Sequence, residues 1–303
     1  MISSALRVLA CSVFVLPALC PGAVTCGDHG DRNSMLVSTA WVAAHASDPG
    51  VVLISVGPRA EYDKGHIAGA QFMDLADISA KGVPLSLELP PMSELEETFR
   101  AHGVSNDSRI ILYSIAATPQ STTRVYLTLD AMGLGRNAAL MDGGMPQWRS
   151  ENRPVTTAIP AVKRGTATGC GREDIITNAE FVSANLRHRG VDVVDARLTG
   201  FYTGEQIPPG QRAGHIPGAA SMPFNTLVDS NGKLKTPEQL SEMFNAAGIK
   251  SGDRVVSYCH IGQQATVVYF VARYLGYDAR LYDGSWQDWS QRTELPAAAG
   301  PKP

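Results

Sequence analysis

The chain has 303 residues, of which 44% are hydrophobic and 18% are charged, and its formal net charge is -3. This length suggests about two domains of ordinary globular composition. The small net charge, with no cluster of Lys or Arg, gives no indication of a nucleic-acid partner. Five cysteines are too few and too scattered for a disulfide scaffold.

The N-terminus has the pattern of a secretory signal peptide. Residues 1–7 carry one positive charge, residues 8–19 form an apolar run, and small residues follow. The run is too short to span a membrane comfortably. We therefore expect residues 1–25 to be removed and the protein to be exported, either to a periplasm or out of the cell, with no stable membrane insertion. A lipid anchor at Cys20 or Cys26 is the alternative, but the residues ahead of both fit such a cleavage site poorly.

A short polar leader, residues 26–33, connects this segment to the first domain. Asp28, His29 and Asp31 are metal-ligand types, but a charged, glycine-rich terminus is more often simply solvated. No Gly-x-Gly-x-x-Gly follows a predicted strand, and no His/Cys/carboxylate cluster stands out in the rest of the sequence. We therefore expect neither a metal site nor a cofactor.

The body of the chain is one unit repeated. The first copy, residues 35–150, alternates predicted helices and strands. Its landmarks are the strand Val51–Ser55, the segment Gly65-His66-Ile-Ala-Gly69, a helix opened by the capping box Ser93-Glu-Leu-Glu96, the strand Arg109–Tyr113, a helix around Thr122–Met132, and Asp142-Gly-Gly.

The second copy, residues 172–293, has the same order of elements. Its landmarks are the strand Val191–Asp195, the segment Gly214-His215-Ile-Pro-Gly218, a helix opened by Thr236-Pro-Glu-Gln239, the strand Arg254–Tyr258, a helix over 265–275, and Asp283-Gly-Ser-Trp286. Alternating strands and helices predict an α/β fold in each copy, a mainly parallel sheet flanked by helices. Ligands are then expected at the carboxyl ends of the strands.

The segments outside the two copies are rich in Pro, Ala and Gly. Residues 151–171 have no apolar period and are predicted to be an interdomain linker, in which Cys170 is incidental. Residues 294–303 are predicted to be a flexible tail.

Cys259 stands where a buried strand turns into a core helix. The first amides of a helix have no partner within it, and their dipoles favour negative charge, so a loop containing Gly262 can form an anion-binding cradle. This setting favours the reactive thiolate. The alternative is a buried cysteine that packs as a small hydrophobic residue.

The two copies differ at this loop. Where the second has Tyr258-Cys259-His260, the first has Tyr113-Ser114 followed by a longer loop with Pro119 and no cysteine. The second copy therefore carries the reactive group. The first is predicted to be a structural partner that walls one side of the site.

These motifs together resemble the tandem-domain rhodaneses, which are thiosulfate or 3-mercaptopyruvate sulfurtransferases. The resemblance rests on four segments in a fixed order: Asp195-Ala-Arg197, the Gly-His-Ile-Pro-Gly-Ala segment at 214–219, the Cys259 loop, and Asp283-Gly-Ser-Trp286. It implies two rhodanese-like domains, the first inactive and the second catalytic.

The resemblance also implies the site. Cys259 is the nucleophile that becomes a persulfide, residues 260–264 form the amide cradle, and Asp195 supports them. The donor would be thiosulfate or 3-mercaptopyruvate, and the acceptor cyanide, a small thiol or a thiol protein. We expect a monomer.

The predicted substrate-binding residues are those around the cysteine: Arg197, His260, Ile261, Gly262, Gln263 and Gln264. The positions after the cysteine are neither the basic pair of thiosulfate-type members nor the small residues of the mercaptopyruvate type. Phe201 occupies a position where members place a second arginine, and Arg212 is a candidate substitute. His66 and His215 occupy equivalent positions in both copies, only one of which has a cysteine, so we interpret both as structural.

Three other function classes use related chemistry or a related fold. A cysteine phosphatase would place an arginine six positions after the cysteine, where this chain has Ala265. A non-catalytic binding module would have no need of a thiol in an anion cradle. A persulfide carrier would use the same covalent chemistry with a protein thiol as acceptor.

Overall fold

The structure is a computed structural model that describes residues 31–172 and 174–303. The predicted signal peptide, the possible anchor cysteines, Asp28 and His29 lie outside the described residues. Within the two described ranges, no helix is long and apolar enough to cross a membrane.

The first domain is a five-stranded parallel sheet in the order β1-β5-β4-β2-β3. Its strands are β1 Leu36–Val37, β2 Val51–Val56, β3 Gln71–Met73, β4 Arg109–Ser114 and β5 Ala138–Met141. Its helices are α1 Thr39–His45, α2 Arg59–Lys64, α3 Met92–Ala101, α4 Gln120–Ala131 and α5 Gly144–Ser150. The central strands are buried, as the near-continuous apolar runs predict.

The second domain repeats this arrangement in the order β6-β10-β9-β7-β8, again parallel throughout. Its strands are β6 Ile176–Thr177, β7 Val191–Asp195, β8 Ala220–Ser221, β9 Arg254–Tyr258 and β10 Asp278–Tyr282. Its helices are α6 Ala179–Ala184, α7 Thr199–Thr203, α8 Pro237–Ala246, α9 Ala265–Leu275 and α10 Ser285–Trp289. The predicted class, two α/β domains with mainly parallel sheets, is confirmed.

Of the two predicted capping boxes, one is present at a helix N-terminus and one is not. The capping box predicted at Thr236 is present, with its hydroxyl accepting from the Gln239 amide. The box predicted at Ser93 is wrong, because α3 begins at Met92 and places Ser93 inside its first turn. Pro91 fixes that start, since its own φ is compatible with a position just before a helix.

The two domains meet along α4 and α9, which share one buried apolar cluster. The Thr123 and Thr266 hydroxyls are hydrogen-bonded to each other across the contact at 2.7 Å. Nearer the C-terminal ends of the helices, Arg273 forms an ion pair with Asp130 at 3.1 Å. The contact therefore combines apolar packing with buried polar pairs.

The predicted linker and tail are held against the domains. Ala167 donates its amide to the Val104 carbonyl, and Cys170 is disulfide-bonded, so the expectation that Cys170 is incidental was wrong. In the tail, Ala298 forms an antiparallel bridge with His215, as Thr156 does with His66 in the first domain. Both glycine-histidine segments are thus covered by the chain that leaves their domain.

Candidate active site

Cys259 follows β9 directly and is a free thiol, fully buried. Its amide donates to the Ser285 hydroxyl at 3.1 Å, and its carbonyl accepts from the Trp286 amide at 2.9 Å. The first turn of α10 therefore fixes the cysteine backbone at both its amide and its carbonyl. Helix α9, which begins at Ala265, directs its N-terminus toward the loop that follows the cysteine.

The loop from His260 to Gln264 presents five backbone amides next to the cysteine. Among the described residues, none of its five amides donates a hydrogen bond to a protein acceptor. Gly262 has φ +75°, a left-handed conformation that suits glycine. A Cβ there would also lie 2.8 Å from the Asp283 carbonyl oxygen. The loop therefore has backbone N–H groups available to an anion, and the anion cradle itself stays a prediction.

Asp195 lies beside the cysteine strand because the register of β7 on β9 pairs it with Tyr258. Its carboxylate accepts from the Tyr258 hydroxyl at 2.6 Å and from Arg197 Nη2 at 2.6 Å. Both charged side chains are fully buried. Asp195 therefore holds the residue before the cysteine and neutralises Arg197.

Two of the three side-chain nitrogens of Arg197 donate hydrogen bonds to other groups of the protein. Nε and Nη2 bind Asp195, Nη2 also donates to the Gly214 carbonyl, and the guanidinium lies 4.6 Å from the Trp286 ring centroid. Nη1 is buried and has no hydrogen-bond partner among the described residues. The predicted substrate role of Arg197 therefore depends on that one nitrogen.

His260 and Phe201 pack edge to face, with ring centroids 4.5 Å apart. Burial, followed by the nearby Arg197 charge, lowers the pKa of His260 to about 4. The imidazole is therefore neutral at physiological pH, and these two residues present an aromatic rather than a cationic surface.

The other predicted substrate-binding residues differ in whether they have a polar group free to bind a ligand. Gln263 donates its side-chain amide to Ser121 Oγ of the first domain at 3.0 Å, so this group is already occupied. Gln264 precedes α9 without a side-chain cap, and its Oε1 is buried without a partner in the described part of the chain. Ile261 is half-buried and carries no polar group.

Arg212 does not serve as a substitute cation. Its guanidinium donates to four main-chain carbonyls around the end of α10, those of Trp289, Ser290, Arg292 and Leu295. The interpretation of His66 and His215 as structural agrees with the packing, because each stacks on a tyrosine, Tyr62 or Tyr202.

The sequence interpretation missed Arg124, which reaches the loop from α4 of the first domain. Its Nη1 donates to the Gly262 carbonyl at 3.1 Å and to Asp283 Oδ1 at 2.5 Å. Arg124 is the one basic residue of α4 and is buried with its neighbours. Arginines are almost never fully buried unless they are paired, so a lone arginine in this helix was the available signal for a partner.

Comparisons with known proteins agree with this arrangement. The rhodanese-like domain family model matches residues 38–151 and again 178–292. A probable 3-mercaptopyruvate sulfurtransferase of Pseudomonas aeruginosa is 31% identical over 88% of this chain and 99% of its own length. The bovine thiosulfate sulfurtransferase is 29% identical over 85% of this chain and 92% of its own. The crystal structure of the Escherichia coli 3-mercaptopyruvate sulfurtransferase SseA superposes with a TM-score of 0.75 at 26% identity, covering 83% of this chain and 98% of SseA.

Proposed function

The chain belongs to the rhodanese-like family as a tandem-domain sulfurtransferase, and from this premise we propose that it moves sulfane sulfur through a persulfide on Cys259. The donor is an anionic sulfur compound, thiosulfate or 3-mercaptopyruvate. The acceptor is a thiophile, cyanide or a thiol. No cofactor is required for either step.

The observation that carries this proposal is that, within residues 31–172 and 174–303, the five amides of His260–Gln264 have no protein acceptor and lie next to the free thiol of Cys259. A persulfide places its terminal negative charge one sulfur beyond the cysteine. Preorganised N–H donors in a buried setting stabilise such a charge far better than water does, because they need no reorganisation.

The first step forms one S–S bond and breaks one bond in the donor. With thiosulfate, the Cys259 thiolate attacks the sulfane sulfur, the persulfide anion forms, and sulfite leaves with the bonding electron pair. With 3-mercaptopyruvate, the carbon–sulfur bond breaks, and the thiol proton ends on the methyl group of pyruvate. Splitting the transfer this way is covalent catalysis.

The second step restores the enzyme. Cyanide attacks the outer sulfur of the persulfide, thiocyanate leaves, and the Cys259 thiolate returns. We propose that Nη1 of Arg197, which has no partner in the described part of the chain, contacts the donor together with the side-chain NH2 group of Gln264, while Asp195 keeps Arg197 and Tyr258 in place. The aromatic pair of His260 and Phe201 adds no positive charge at neutral pH.

Steady-state kinetics test the proposal. Thiocyanate formation from each donor should follow ping-pong kinetics, with parallel lines in double-reciprocal plots, because donor and acceptor react in separate steps. Cys259→Ser should be inactive while keeping its circular dichroism spectrum. Turnover by that variant, or no turnover of either donor by the wild type, would refute the proposal.

We also propose that the protein is exported and works as a monomer. The N-terminal pattern supports export, and a disulfide at Cys170 suits an oxidising compartment. Cell fractionation of the full-length gene product tests export, and a purely cytoplasmic product contradicts it. Light scattering of the mature protein tests the monomer.

A further inference from the structure

We infer that the cysteine-free domain positions the catalytic loop through Arg124, and that this residue is therefore required for sulfur transfer. This inference rests on the proposed function. Within the residues that the structure describes, Arg124 donates to Asp283, Gly262 and Leu87 and not to Cys259, and as a donor it cannot bind the loop amides, so it is a positioning residue.

Arg124 bridges three segments of the molecule. Its two terminal nitrogens bind both oxygens of Asp283, at 2.5 and 3.1 Å. Nη1 also binds the Gly262 carbonyl, and Nη2 binds the Leu87 carbonyl. The side chains of Arg124 and Asp283 are 1% and 7% exposed, so water does not compete for these bonds. A planar guanidinium presents five N–H donors in a fixed fork, so it can bind a carboxylate bidentately and two carbonyls as well, whereas an ammonium offers three donors from a single atom.

The bond to Gly262 bears directly on the cradle. In a planar trans peptide the C=O and N–H groups point in opposite directions. Arg124 draws the Gly262 carbonyl toward the first domain, and this directs the Gln263 amide to the other side of the same peptide plane. The bond that Gln263 donates to Ser121 and the bond between the Thr123 and Thr266 hydroxyls hold the flanks of the loop on α4. The orientation of the loop is thus set from the first domain.

Comparison of the two repeats shows that an arginine at this position is present in α4 of the first domain and absent from the equivalent helix α9 of the second. Gly133 follows the C-cap of α4, and Gly276 is the C-cap of the equivalent helix α9. Counting back from these glycines, Thr123 matches Thr266, but Arg124 matches a valine, Val267. The first domain's equivalent of Asp283 is Asp142, which accepts an amide from Leu234. The arginine therefore reaches the loop that contains the cysteine, and its counterpart in α9 is apolar.

A strained residue supports the same site. Leu87 has φ +60°, a left-handed conformation that is costly for a side chain with a Cβ. Its carbonyl is one of the Arg124 acceptors. Such strain persists where the surroundings impose it, and here it presents an acceptor to the buried guanidinium.

The experiment compares Arg124→Gln with Arg273→Gln in the full chain. Arg273 makes a similarly buried interdomain ion pair, with Asp130, at the far end of the same helix contact. We expect Arg124→Gln to lower kcat about 100-fold, the typical effect of misplaced or lost donors. Arg273→Gln should keep kcat within about threefold while losing a similar amount of thermal stability. Arg124→Lys should recover only part of the loss, because a single ammonium nitrogen cannot reproduce the two-nitrogen contacts with Asp283, Gly262 and Leu87.

A second readout does not depend on turnover. The amides of Trp286 and Gln287 donate to the Cys259 and His260 carbonyls and so report how firmly the loop is held. Their hydrogen exchange should be about tenfold faster in Arg124→Gln and unchanged in Arg273→Gln. Equal losses of kcat in both variants, or unchanged exchange in Arg124→Gln, would overturn the inference. If Arg124→Gln does not fold, the near-isosteric Asp283→Asn tests the same bonds. A wild-type protein without transferase activity would refute the proposed function and leave the exchange test valid.

Discussion

The ion pair of Asp195 and Arg197 gives the sharpest stability prediction. Both side chains are fully buried, and Asp195 accepts from Nε and Nη2 of Arg197 as well as from the Tyr258 hydroxyl. Asp195→Leu removes the carboxylate and leaves an uncompensated guanidinium in the core. Removing one partner of a buried ion pair lowers the free energy of unfolding by about 3–5 kcal/mol.

The double variant Asp195→Leu/Arg197→Met separates the charge from the packing. Replacing a whole buried pair by apolar residues of similar volume is often neutral, so the double variant should recover most of the lost stability. The assay is urea unfolding followed by tryptophan fluorescence for the wild type, both single variants and the double variant. A single variant as stable as the wild type, or losses that simply add, would refute the reasoning.

Three further predictions concern the loop, the imidazole and the disulfide. Gly262→Ala should reduce transfer strongly, because φ +75° and the nearby Asp283 carbonyl oppose a Cβ; the kinetic assay above checks it. The pKa of His260 is depressed from 6.5 to about 4, so its stabilising contribution is complete above pH 6.5 and is lost as pH falls toward 4. His260→Leu should lose less stability than the wild type over that range in urea titrations, and identical curves would contradict it. In unfolded, unreduced protein, iodoacetamide should label Cys259 at once but Cys170 only after reduction, as peptide mass spectrometry would reveal.

Most of the fold follows from the sequence because local patterns and the repeat agree. The buried strand at 254–258 and the helix at 265–275 have the bounds that the apolar runs predict. At Thr236, the residue types and the three-residue spacing to Gln239 were sufficient to predict the capping box and the start of the helix. At Ser93 the same pattern fails, since a preceding proline starts the helix two residues earlier.

The site was predictable only where its parts are neighbours in sequence. Cys259 and its loop follow from the strand-to-helix turn. Arg124 lies 138 residues from its acceptor Gly262, so only the packing of α4 against α9 brings the two together. Arg212 was a reasonable candidate by type, but a side chain's partners depend on the tertiary fold, and four carbonyls occupy it.

The most direct test is the mass of Cys259 after exposure to a donor. The mature protein is incubated with thiosulfate or 3-mercaptopyruvate, desalted, and measured intact before and after cyanide, with Cys259→Ser alongside. The account predicts a gain of one sulfur atom that is located on the Cys259 peptide, is removed by cyanide and is absent in the variant. A sulfur that survives in Cys259→Ser, or no gain with either donor, would contradict it.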